Sequence, residues 1–120
     1  MSTGGAVIEM AVIGCGEWGP NHIRNFQSQP GAKVRVAVDL DAKRLQRIRE
    51  LFPAVECSSE AGKMLADPAI QAVVVATPVQ THFSLVKKAL LAGKHVLCEK
   101  PLCETTAQAR ELIDLAQARR

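Results

Sequence analysis

Three glycines, Gly14, Gly16 and Gly19, stand in a GxGxxG spacing within Ala11-Val12-Ile13-Gly14-Cys15-Gly16-Glu17-Trp18-Gly19-Pro20. Backbone without a Cβ turns tightly and comes within hydrogen-bonding distance of a phosphate, so these residue types suit anion binding by main-chain N–H groups. The spacing alone describes many flexible turns. Its context sharpens it: the glycines follow a short apolar run and open a stretch of helical period, and Gly19 lies 20 residues before Asp39, an acid ending the next apolar run. In that setting Gly14 allows the turn, Gly16 lets backbone approach a pyrophosphate, and Gly19 lets helix and strand pack closely. The helix beginning there points unpaired N–H groups and a positive dipole end at the phosphates, while Asp39 accepts hydrogen bonds from ribose hydroxyls. Dinucleotide binding is the expectation.

Asp39 also bears on which dinucleotide, because a carboxylate there repels the extra 2′-phosphate of NADP and bonds the free hydroxyl of NAD. NAD is therefore favoured. The alternative is that Lys43, Arg44 and Arg47, just beyond, pair with a 2′-phosphate if Asp39 turns aside. Cys15, Glu17 and Trp18 within the turn and Leu40 beside Asp39 complete the expected cofactor-facing set at this end. Cys15 reads as a small packing residue. Trp18 covers the pyrophosphate, faces a second substrate or packs on the surface; Asn21 and His22 serve the turn.

These residues need a scaffold, and the rest of the chain supplies one. Short β-branched apolar runs, Val7–Ile13, Val34–Val38, Val55–Cys57, Ala72–Ala76 and His95–Cys98, alternate with stretches of helical period. Helical faces are marked by Ile23 and Phe26, by Leu45, Ile48 and Phe52 behind an Asp41 N-cap, by Met64 and Leu65, and by Phe83, Val86 and Leu90 before Gly93. The last helix opens on a capping box, Thr105 with Gln108, and is expected to bury Ala109, Leu112, Ile113 and Ala116. Right-handed crossovers then give a Rossmann-type doubly wound α/β fold in three layers, with five parallel strands in the order 3-2-1-4-5. Ligands bind such sheets at the carboxyl ends, in the crevice where strand order reverses. The full two-half architecture has a sixth strand, which would follow Arg120.

Composition narrows the function classes. A length of 120 residues and 48% apolar content fit one domain, read as residues 1–120. The net charge of +3 comes without a polybasic run, and three Phe, one Trp and no Tyr leave few stacking platforms, which argues against nucleic acid. No apolar run approaches the roughly 18 residues of a membrane span, and no signal-peptide pattern opens the chain. The four cysteines lack CxxC or disulfide-scaffold spacing and form no metal set with His22, His82 and His95, so free thiols in the cytoplasm are expected. A sheet built to meet another domain leaves an apolar edge open to homo-oligomer formation.

Two later segments stand at strand ends where the nicotinamide half of a cofactor should rest: Ala76-Thr77-Pro78 with Thr81-His82, and Glu99-Lys100-Pro101. Together, GCGEWGPN, VVVATPVQTHF and AGKHVLCEKPL resemble the glucose-fructose oxidoreductase and inositol dehydrogenase (Gfo/Idh/MocA) family from about Val7 onward, with EKP the most specific mark. Within it, GxGxWGPN and TPxxTH look most like nucleotide-sugar 3-dehydrogenases. The resemblance implies a hydride transfer from a sugar or nucleotide-sugar hydroxyl to NAD. It places Lys100 as the catalytic lysine, Glu99 as a cofactor-contacting acid, and Pro101 as fixing the turn through a cis bond. A cation near the carbinol oxygen stabilises the developing alkoxide and relays its proton, a task suited to a partly desolvated lysine. Thr77 and Pro78 line the crevice, with Ala76 before them; Thr81 and His82 start the next helix, where His82 either faces the crevice or caps and packs. Such enzymes continue into a substrate domain carrying a further catalytic histidine, which is absent from these 120 residues. The other reading is a stand-alone NAD(P)-binding module without turnover.

Overall fold

Runs of β-branched residues too short for a helix and too apolar for a surface pair here as the strands of one sheet. The computed structural model describes residues 7–119. Its elements are β1 (Ile8–Ile13), α1 (Gly19–Gln27), β2 (Ala32–Val38), α2 (Ala42–Leu51), β3 (Glu56–Ser58), α3 (Ala61–Ala66), β4 (Ala72–Val75), α4 (His82–Leu91), β5 (His95–Cys98) and α5 (Thr106–Arg119). A 3-10 turn, Val79–Thr81, precedes α4. All strand pairs are parallel, in the order β3-β2-β1-β4-β5. This is the expected fold and order. The strand ends differ from the sequence reading by one or two residues, as where β2 begins at Ala32 and β4 stops at Val75.

Both faces of the sheet are covered. Met10, Val12, Val34 and Val74 pack on one side with Ile23 of α1 and Leu45 and Ile48 of α2. Ala11, Ile13, Val36, Val38 and Val73 pack on the other with Leu65 of α3 and Ala89 of α4. Ile23 and Ile48 are fully buried, each worth about 1.5–3 kcal/mol of transfer free energy. Strict alternation would place Val34 and Val36 on one face, yet they point to opposite faces. The register skips between Met10 and Ala11, which pair with Val34 and Val36, so Arg35 is an extra residue in β2. Its guanidinium turns outward to Glu9 (3.7 Å) and Asp67 (3.5 Å).

The ends of the elements carry the expected caps. The Asp41 carboxylate accepts from Lys43 N–H (2.8 Å). Thr105 Oγ1 accepts from Gln108 N–H (3.1 Å), but Gln108 Oε1 reaches back to Glu104 N–H (3.1 Å), one residue earlier than the usual reciprocal bond. Gly93 closes α4 at φ +80°. The expectation for α5 needs correction: it buries Leu112 and half-buries Ala109 and Leu115, while Ile113 is 51% exposed and Ala116 is exposed. The cause is position. α5 packs on α4 at the flank of the sheet, where Leu112 joins Val75, Val86 and Leu90, so only a narrow stripe of the helix is covered.

Candidate cofactor site

The segments singled out in the sequence all leave the carboxyl ends of strands, and a row of backbone hydrogen bonds sets them at one level. Asp39 N–H donates to the Ser58 carbonyl (3.2 Å), Gly14 to Val38 (2.7 Å), Ala76 to Ile13 (2.8 Å) and Glu99 to Val75 (2.9 Å). Each bond carries the parallel ladder one step past a strand end. The glycine turn, Asp39, Ala76-Thr77-Pro78 and Glu99-Lys100-Pro101 therefore share one rim. Strand order reverses beside β1, so α1 and α4 leave on opposite faces and the crevice opens between them.

The three glycines are needed for different reasons. Gly14 adopts φ +101°, and a Cβ there would lie 2.6 Å from the Ala76 carbonyl carbon and oxygen. At Gly19 a Cβ would overlap the Gly14 carbonyl, which the first residue of α1 must approach. Gly16 is unlike either. A Cβ on it would meet only the Arg44 guanidinium, at 3.6–3.8 Å, so the fold itself accepts a side chain there. Trp18 occupies the N-cap of α1 without a side-chain cap bond and is 56% exposed, leaving the first N–H groups of the helix open to the rim.

Asp39 is tied into this turn. Its Oδ2 accepts from Cys15 N–H and its Oδ1 from Asp41 N–H, both at 2.8 Å. The side chain is only 8% exposed, and Arg44 lies 3.7 Å from it and 3.9 Å from Asp41. Each carboxylate oxygen retains a second lone pair. Leu40, next in sequence, is 90% exposed above the same rim. Cys15 is buried, its thiol directed at the Val38 carbonyl (3.7 Å), and burial, with the Asp39 carboxylate second, pushes that thiol up to about 12. A thiol so held is a packing group.

At the other end the loops are braced internally. Thr81 Oγ1 donates to the Pro78 carbonyl (2.6 Å), so the 2.5 Å contact between the Thr77 and Thr81 hydroxyls is donated by Thr77. His82 is 1% exposed, with Nε2 at 2.7 Å from the Thr77 carbonyl and Nδ1 at 2.7 Å from the Pro101 carbonyl. Of its two expected places, the buried one is observed. Lys100-Pro101 is cis. Lys100 is exposed rather than partly desolvated, since none of the described residues covers it. Cys98, just before, has its thiol pushed up to about 11, by burial first and then by Glu99.

One residue read as serving the glycine turn does more. His22 Nε2 lies 2.6 Å from Glu99 Oε1, joining the first turn of α1 to the segment after β5. Nothing in the local sequence announces a contact spanning 77 residues. Arg44 is the second such residue: its sequence position suggests only a partner for a 2′-phosphate, but its guanidinium stands over Gly16 and beside Asp39. All four cysteines are unpaired. Among the described residues no group of three or more His, Cys, Asp or Glu is placed to hold a metal ion, and no helix is long and apolar enough to cross a membrane.

Comparison with known proteins agrees with this geometry. Residues 8–120 match the model of an oxidoreductase family with an NAD-binding Rossmann fold. Inositol 2-dehydrogenase of Rubrobacter xylanophilus is 34% identical over 108 residues, 89% of this chain and 31% of that protein. Among solved structures, GenD2 from gentamicin A biosynthesis, in complex with NAD, superposes with a TM-score of 0.91 at 32% identity, over 98% of this chain and 34% of that one. KijD10, a 3-ketoreductase from Actinomadura kijaniata in complex with NADP and TDP-benzene, gives 0.86 at 31% identity, over 94% and 35%. The chain spans a quarter to a third of the length of such relatives. By its glycine turn, sheet order and EKP segment, and by these matches, the chain belongs to the Gfo/Idh/MocA oxidoreductase family as an NAD-binding Rossmann domain.

Proposed function

We propose that this chain is the cofactor-binding part of an NAD-dependent dehydrogenase acting on a hydroxyl of a sugar or nucleotide-sugar, with the substrate-binding part outside residues 1–120. The observation that carries the reading is the single rim, on which position 16 carries no side chain although a Cβ there would meet only the Arg44 guanidinium, so the fold itself does not require glycine. The bound dinucleotide supplies the hydride acceptor. The open N–H groups of α1 hold its pyrophosphate, with Glu17 and Trp18 beside them, and the remaining lone pairs of Asp39 bond the adenosine ribose next to Leu40. Ala76, Thr77 and Pro78 form the floor toward the nicotinamide, braced by Thr81 and His82. Glu99 is oriented by His22 and Pro101 by the His82 bond, which leaves Lys100 projecting from the rim to hold the substrate oxygen, stabilise the developing alkoxide and relay the hydroxyl proton to solvent. A nucleotide-sugar substrate is favoured by the likeness to KijD10, crystallised with TDP-benzene. Unpaired thiols fit a cytoplasmic setting.

NADP as the cofactor is the second reading, and Arg44 favours it. A guanidinium 3.7 Å from Asp39 and beside Gly16 partly offsets the carboxylate that would repel a 2′-phosphate. Calorimetric titration of the chain with NAD and with NADP, repeated on Arg44→Ala, tests both. Tighter NAD binding, with NADP weakened further by the substitution, is the expected result. No binding of either dinucleotide would sink the proposal.

A further inference from the structure

Every polar atom of the His82 ring is committed inside the protein. The carbonyl of Thr77, in the turn after β4, and that of Pro101, in the segment after β5, face its two nitrogens at 2.7 Å each. Both oxygens can only accept. A neutral imidazole has one N–H and one bare nitrogen, so it would set a lone pair against a carbonyl oxygen at a position only 1% exposed. The ring protonated on both nitrogens satisfies both contacts.

We propose that His82 is an imidazolium strap, a positioning residue that ties the Lys100 segment to the turn after β4. This deepens, and rests on, the assignment of Lys100 to the reacting oxygen. The charges around it leave the two carbonyl dipoles as its partners. Among the described residues no carboxylate forms an ion pair with His82. Glu99 is engaged by His22 (2.6 Å), and on its own helix Lys87 turns to Glu111 of α5 (2.6 Å). The ring is 1% exposed at the mouth of the crevice, where it ties the backbone just after Lys100 to the turn after β4.

The test is nitrogen-15 correlation spectroscopy of the His82 ring in the cofactor-free chain at neutral pH, with amide hydrogen exchange of residues 98–103 in the wild type, His82→Gln and His82→Phe. Two protonated ring nitrogens with slowly exchanging protons are expected. Loss of both donors in His82→Phe should speed exchange in that segment on the order of tenfold to a hundredfold, and His82→Gln, which keeps two N–H donors, should recover part of it. A ring nitrogen without a proton overturns the proposal, as does unchanged exchange in His82→Phe. Should His82→Phe not fold, the wild-type spectrum and His82→Gln still decide. None of these readouts needs cofactor, so failure of dinucleotide binding would remove the proposed function and leave the strap standing.

Discussion

Alanine at Gly16 and alanine at Gly14 should have opposite effects, and the contrast separates a glycine kept for a ligand from one kept for the fold. At Gly14 the new Cβ stands 2.6 Å from the Ala76 carbonyl in a backbone held at φ +101°. The strained dihedral costs about 1–3 kcal/mol and the overlap a similar amount, together about 2–6 kcal/mol. For a domain of this size that lowers Tm on the order of 15 °C. At Gly16 the Cβ meets only Arg44, at 3.6–3.8 Å, ordinary van der Waals separation. Stability should be unchanged, or higher by about 0.5 kcal/mol through the lost freedom of the unfolded chain. Binding should suffer instead. A methyl in the cradle displaces the pyrophosphate from the α1 N–H groups, and one lost hydrogen bond to a charged group, about 1.5–3 kcal/mol, weakens NAD roughly 10- to 150-fold. Thermal melts and calorimetric titrations on the same preparations give both quantities. If Gly16→Ala melts like the wild type and binds NAD equally well, the pyrophosphate does not lie over this turn.

Three further outcomes follow from the same geometry. Asp39→Ala should cost stability as well as binding, about 2–3 kcal/mol by denaturant titration, because Cys15 N–H and Asp41 N–H both lose their acceptor; an unchanged midpoint would contradict those bonds. The Cys15 thiol should make the fold sensitive to alkali. Its folded value of about 12 lies above the ordinary 9.0 of a free thiol, so the folded state holds its proton longer, and the stabilisation is complete below about 9 and lost as pH rises from there toward 12. At pH 10 the loss is about 1.4 kcal/mol, visible as a steeper fall in Tm between pH 8 and 10 than Cys15→Ala shows. Lys94 is 7% exposed and its Nζ donates to the Asp67 carbonyl (2.6 Å) and the Ile70 carbonyl (2.5 Å); Lys94→Met should therefore lower unfolding free energy by about 2–4 kcal/mol.

The sequence by itself determined the fold class, the strand order and the position of the rim. Those follow from local signals that need no partner: β-branched runs that suit only a covered sheet, helical periods between them, an Asp41 cap, a crossover handedness that prunes the arrangements to a few, and a glycine turn after the first strand that matches the order with reversal beside it. The need for glycine at position 14 was likewise legible, because a tight turn at a strand end dictates its φ. The tertiary structure decided everything that depends on side chains meeting across long separations. The extra residue Arg35 in β2 is a matter of pairing with β1, which no alternation within one strand reveals. Which stripe of α5 is covered depended on its seat against α4, so an amphipathic pattern that marked Ile113 for burial left it exposed. His22 and His82 were unassignable from their neighbours, because their partners, Glu99 and Pro101, lie 77 and 19 residues away and come within reach only after β5 is laid beside β4. A side chain's chemistry is set by what surrounds it, and the register of the sheet supplied those surroundings.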